Sequence, residues 1–222
     1  MNLAQWIVII LSVIIGVWYF GAFLYNRQRG EVTYRWLKAG LRPLGELGEV
    51  QRLGTLTPQA RLVIHKAEAP FQQIEVIFSL EPRENLPLWI FSHLQGRRDE
   101  IVIRASLRVL PTQEIETAHT EDRRYRILVA SEQIKPFELL PTPYGFEIAR
   151  RGKPDVKAVE RLKLFLERYG KATMRISLHR KEPHLVLQAN LSSLLPLAAQ
   201  EYFTSLCNVL VDPHSSVLHT EQ

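Results

Sequence analysis

The polar and apolar positions divide this chain sharply at its start. From Leu3 to Tyr25 runs one apolar block of 23 residues, and residues 1–26 carry no charged side chain. About 20 apolar residues at 1.5 Å rise cross the ~30 Å hydrocarbon core of a bilayer, so the block predicts a single membrane-spanning helix with some tilt to spare. Nothing basic precedes it and no small-x-small site follows it, which separates it from a cleaved export signal. A buried core helix of this length would ordinarily carry a charge. Trp6 at one end and Trp18, Tyr19 and Tyr25 at the other suit rings lodged at headgroup level. Gly16 and Gly21 lack the spacing of close-packed membrane helices, so the span predicts a tether.

Beyond the block the periodicity changes. The Gly- and Pro-rich stretch 40–58 predicts a connector. Residues 60–68 and 71–81 predict strands, with Ile74, Val76, Phe78 and Leu80 alternating against Glu75, Ile77 and Ser79. Residues 84–96 predict a short helix, capped by Asn85, with Pro87 in its first turn and Gly96 as its stop. Residues 99–110 return to a strand with Ile101, Ile103, Ala105 and Leu107 on one face. Residues 112–124 predict a polar hairpin or loop, and 125–131 a further strand.

The clearest helix pattern is 153–170, opened by Pro154 and Asp155 and closed by Gly170, with Val156, Val159, Leu162, Leu166 and Tyr169 as the buried stripe. Residues 172–180 and 184–191 predict a hairpin across the turn "RKEP", and an apolar helix follows from Ser192 or Ser193 to Val211 with Pro196 in its early turns. The order β-β-α-β-β, then α-β-β-α, predicts an antiparallel α+β domain rather than a doubly wound parallel sheet. The expected organisation is an anchor at 1–26, a basic juxtamembrane segment and linker at 27–58, a domain at 59–211 and a flexible tail at 212–222.

Charge sharpens this picture. Of the formal net +5, most sits in the collar Arg27, Arg29, Arg35, Lys38 and Arg42, which Glu31 alone opposes. Basic residues next to a span favour the cytoplasm and attract anionic lipid, so the N-terminus is expected outside and the domain inside. The domain is nearly neutral but lopsided, because residues 150–181 hold eleven Lys and Arg against three acids. Lys153, Lys157, Arg161, Lys163, Arg168 and Lys171 form a basic ridge on the helix there. A solvated face and a phosphate-rich partner, lipid headgroups or RNA, both stay open for it. The single cysteine, Cys207, excludes an internal disulfide and a cysteine zinc cluster, fits a reducing compartment and is expected in the core.

Catalytic signals are sparse. There is no phosphate-binding glycine loop, no nucleophile elbow and no H-E-x-x-H. His179 and His184 flank a hairpin turn and are expected to be surface residues rather than a metal pair. "EPREN" (81–85) reads as charges capping a strand-helix junction in preference to a catalytic pocket. No enzyme, metal or cofactor is therefore expected. "LPLWIF" (86–91) and residues 194–211 are apolar around most of the helical circumference. They fit either a core or a groove for a partner helix, with Leu88, Trp89 and Phe91 as the partner-binding candidates.

The run "QIEVIFSLEPRENLPLWIFSHLQGRRDEIVIRASL", then "ERLKLFLERYGKATMRISL" and "LSSLLPLAAQEYFTSLCNVLV", resembles in pattern and element order the cytosolic domain of the calumin-like family, over about residues 50–211. Members of that family are the membrane-anchored subunit of the PAT complex at the multipass translocon. The family's acidic luminal segment and its Lys/Arg-rich coiled coil have no counterpart in these 222 residues, which leaves calcium binding and ribosome contact open. The resemblance implies a non-enzymatic, single-pass accessory factor for membrane-protein insertion or assembly. Its place would be the cell membrane of a prokaryote or the endoplasmic reticulum of a eukaryote. Its partners would be other membrane proteins or insertion machinery, with the ribosome or anionic lipid as further contacts. A structural subunit of another membrane complex is the alternative, and a tethered enzyme acting on lipid or a phosphorylated substrate is a third.

Overall fold

Helix α1 (Leu3–Leu41) starts at Asn2, whose side chain accepts from the Gln5 amide while Gln5 reaches back to the Asn2 amide. The computed structural model describes residues 2–48, 50–53, 59–119, 138–142 and 145–210. The helix does not stop where the apolar block stops. It continues for 39 residues in all and tightens into a 3-10 turn at Arg42–Leu44. Ala22, Asn26, Thr33, Trp36, Leu37, Gly40 and Leu41 are buried, and their recurrence every three or four residues makes one inward stripe. Trp36, Leu37, Leu41 and Leu44 belong to the main hydrophobic core. The linker expected over 27–58 is thus replaced in large part by structure: 27–44 is helix, and Gln51–Leu53 is strand β1.

The sheet is α+β in the expected antiparallel manner. Its strands are β1, β2 (Gln59–Ile64), β3 (Phe71–Ser79), β4 (Glu100–Leu107), β5 (Gln113–His119), β6 (Glu138–Pro141), β7 (Phe146–Gly152), β8 (Thr173–Leu178) and β9 (Leu185–Asn190). Among the described residues these form one nine-stranded sheet in the order β1-β2-β3-β4-β9-β8-β5-β7-β6, antiparallel throughout. Alternation holds as expected: Ile74, Val76 and Phe78 on β3 and Ile101, Ile103, Ala105 and Leu107 on β4 are buried on one face. The pairing of β4 with β9 joins the two halves of the chain.

Helices α2 (Leu86–Leu94), α3 (Val156–Tyr169), α4 (Leu191–Leu194) and α5 (Ala199–Leu210) complete the fold. Asn85 caps α2 and Asp155 caps α3, each accepting from the amide three residues on. The lower half of α1 packs on α5, and α3 packs on α5 as well. Trp36, Phe165, Tyr169, Tyr202 and Phe203 form an aromatic cluster there, with ring centroids 5.0 to 5.9 Å apart. A Cβ at Gly40 would run into the Phe203 ring, so α1 and α5 approach to backbone distance at that point.

Four expectations change. Residues 113–119 are a strand, because Ile115 enters the core and buried Thr117 hydrogen-bonds to Ile176. Val156 is exposed and Phe165 takes its place in the buried stripe of α3. The last helix is broken into α4 and α5, since Pro196 has no amide to carry a helix through. Strands β6 and β7 arise from 138–152, where no element was predicted. The strand expected at 125–131, the end of the last helix at Val211 and the tail at 212–222 lie outside the described residues.

Because Leu37 is fully buried in the core, Leu37→Ala is expected to cost about 2–5 kcal/mol in denaturant unfolding. A chain trimmed to begin at Phe23 should keep a cooperative transition, whereas one beginning at Gly45 should lose it.

Candidate functional site at the foot of the span

Where the apolar block ends, α1 meets a cluster of buried polar groups supplied by the β3–α2 connection and by Asp99, just ahead of β4. Arg83 donates to Asp99 through both terminal nitrogens, at 2.9 and 3.1 Å, and to Asn26 Oδ1 at 3.1 Å. Asn26 Nδ2 donates to the Glu81 carbonyl at 3.1 Å, and the Glu81 amide donates to Asp99 Oδ1 at 2.9 Å. Arg29 lies 3.5 Å from Asp99 Oδ2 and donates to Ser192 Oγ at 2.9 Å. Glu81 accepts from Trp89 Nε1 at 2.6 Å, with His93 Nδ1 at 3.3 Å. The charges of "EPREN" therefore hold α1 against the sheet, and Asn85 alone caps the helix. A bidentate arginine fixes both distance and direction, which apolar contact cannot do.

Directly above this clamp, Trp18, Gly21, Ala22 and Tyr25 of α1 face Trp89 of α2 across a crevice of about 330 Å³, floored by Arg83. The Trp18 and Trp89 rings stand 5.2 Å apart, and Trp18 Nε1 donates to the Arg83 carbonyl at 2.9 Å. The Arg83 guanidinium lies over the Tyr25 ring at 5.0 Å. Of the three partner-binding candidates, Trp89 turns inward to this crevice, Leu88 is half-buried, and Phe91 is exposed together with Ile90 and Leu94. The wall of the crevice is an i, i+3, i+4, i+7 stripe on the span. That spacing is a signal the sequence carries without any glycine pair.

The collar divides. Arg35, Lys38 and Arg42 are exposed and Arg27 pairs with Glu31 at the surface, but Arg29 turns inward to Asp99. The six ridge residues lie on or beside α3. Lys153, Lys157 and Lys171 are exposed, Arg161 and Lys163 are half-buried, and Arg168 pairs with Glu201 while lying over the Tyr169 ring. Helix α3 starts where Asp155 meets Gln113, at the far end of the sheet, and ends beside Ala172, whose carbonyl accepts from Asn190 near Asp99. The ridge thus runs along the domain from its far end to the clamp, and Lys171 is its nearest point to the span.

A second polar cluster lies on β5 and β8. Glu116 accepts from Ser177 Oγ at 2.5 Å, from Arg175 at 3.0 Å and faces His179 Nε2 at 2.9 Å. The carboxylate sits between the serine and the histidine, so the imidazole has no access to the serine proton. His184 is buried instead of exposed, and its Nδ1 accepts from the Leu107 amide at 2.9 Å. His179 and His184 thus serve different partners. Cys207 is half-buried against the core, and burial pushes its thiol up to about 11.

Burial alone would raise the Glu116 carboxyl, but hydrogen bonds from His179 and Ser177 and the Arg175 charge hold it below the ordinary 4.5. The bond to Glu116 raises the His179 imidazole above 6.5 against its partial burial. A lowered acid contributes stability above its unfolded value and loses it as pH falls through the folded one. A raised base contributes below its unfolded value and loses it as pH rises. The pair should therefore stabilise most between 4.5 and 6.5. His179→Gln should flatten the decline of the unfolding midpoint above 6.5, as read by denaturant titration across pH. Asp99→Ala leaves Arg29 without its anion and Arg83 with Glu81 alone, at 3.5 Å. It should cost about 3 kcal/mol, the lower part of the range for a broken buried pair because Arg83 keeps some solvent contact.

No family model matches the chain, and no curated protein matches it either. Geometry and residue chemistry therefore carry its functional reading.

Proposed function

We propose that this protein is a single-pass, membrane-anchored accessory factor that holds segments of other membrane proteins beside its own span during insertion or assembly, without catalysis. Its α1 is long and apolar enough to cross a membrane. The observation that carries the proposal is the crevice between Trp18, Gly21, Ala22, Tyr25 and Trp89, which lies on the apolar block itself rather than on the domain. A Cβ added at Gly21 meets nothing within 4 Å, so the wall is open to a neighbouring helix. Small residues let helix backbones approach closely in lipid, where van der Waals packing drives association. The clamp below keeps that wall from turning, so an incoming segment meets a preformed surface.

The basic collar favours an N-terminus outside and a domain in the cytoplasm. The ridge on α3 runs away from the membrane and suits an elongated polyanion, such as ribosomal RNA, better than the bilayer, which only Lys171 would approach. The resemblance to the calumin-like family supports the accessory role in membrane-protein insertion or assembly, and leaves ribosome contact open.

A photoreactive residue placed at Gly21, compared with one at Val13 on the same span, tests the proposal in native membranes. Crosslinks from Gly21 to several newly made multipass proteins or to insertase subunits are expected. A single stoichiometric partner would instead make the protein a fixed subunit of one complex. Equal labelling from Gly21 and Val13 would remove the crevice as a binding wall.

A further inference from the structure

We infer that α2 is an interfacial helix whose outer face is immersed in the lipid of the same membrane that α1 spans. The inference rests on the spanning role of α1. Trp18 lies seven positions before Tyr25, about 10 Å along the helix. Because Trp89 packs on Trp18, and Trp18 bonds to the Arg83 carbonyl, α2 is held level with the last two turns of the apolar block. Trp89 and buried Ser92 face the protein. On the other side Pro87, Ile90, Phe91 and Leu94 fall at i, i+3, i+4 and i+7, one stripe along the helix. Ile90, Phe91 and Leu94 are 46%, 60% and 80% exposed.

The occupant of that stripe follows from its level. Phe20, Phe23 and Leu24 of α1, at the same height, are exposed as well and face acyl chains in a spanning helix. The α2 stripe continues that apolar surface sideways. At its C-terminal end Gly96 takes a positive φ of 79°, and Arg97 and Arg98 follow, both exposed. An apolar stripe ending in two arginines matches a helix lying about 5–10 Å into the headgroup and acyl boundary, with its cations among lipid phosphates. Phe91 is thereby assigned to lipid rather than to a protein partner, and α1 with α2 gives the domain two contacts with the bilayer.

The test uses the full chain, with Cys207 replaced by alanine, in vesicles of phosphatidylcholine and phosphatidylserine. Nitroxide labels go singly at Ile90→Cys, Leu94→Cys, Ile10→Cys in the span and Val109→Cys at the exposed far end. Collision with oxygen, which concentrates in lipid, is compared with collision with a water-soluble nickel chelate. The labels at 90 and 94 should favour oxygen, less strongly than the label at 10, while the label at 109 should favour the chelate. A label at 94 that favours the chelate while the label at 10 favours oxygen overturns the inference and leaves the span intact. Protection of 90 and 94 from both colliders means that protein covers the stripe, and also overturns it. A label at 10 in water overturns the span and this inference together.

Discussion

The ion pair of Arg83 with Asp99, tied to α1 through Asn26 and Arg29, is the constraint on which the rest of the structure depends. It sits where the apolar block gives way to polar sequence, so it joins α1, the one helix among the described residues long and apolar enough to cross a membrane, to the sheet. Hydrophobic contact along α1 could slip by a turn with modest loss, since the stripe repeats every three or four residues. A two-pronged arginine on a carboxylate that is 2% exposed cannot slip without leaving a buried charge alone. The crevice, floored by Arg83, and the level of α2, bonded through Trp89 to Glu81, both adjoin this junction.

The placement also explains an apparent waste of charge. Four ionisable residues, Arg29, Glu81, Arg83 and Asp99, are withdrawn from solvent and paired with one another. Each pairs with another of the four or with Asn26, Ser192 or Trp89, although Arg29 Nε itself is buried without a hydrogen-bond partner and meets Asp99 only as a charge at 3.5 Å. Such a network fixes geometry, here the placement of α1 against the sheet.

Much of the fold was legible because binary patterning dominates it. Ile74, Val76 and Phe78 had to share a face, and Asn85 and Asp155 stood where caps belong. Strand β5 was not legible, because Glu116 is a buried acid whose partners, Ser177, Arg175 and His179, lie some sixty positions away. The inner stripe of α1 was hidden for another reason. Asn26, Thr33 and Gly40 are small or polar, so the stripe has little contrast against a helix that is apolar on all sides above and charged below. Arg29 looks no different from Arg27 in the sequence, and only the position of Asp99 separates a structural cation from a surface one.

The contact between Trp36 and the carbonyl of Leu197, 161 positions apart, has a consequence for biosynthesis. Helix α1 leaves the ribosome well before α5, its cover. Until α5 emerges, the lower half of α1 presents Trp36, Leu37 and Leu41 without their final neighbours. The domain thus closes as a clasp between two segments 161 positions apart, and neither half of its aromatic cluster is complete before the other is made.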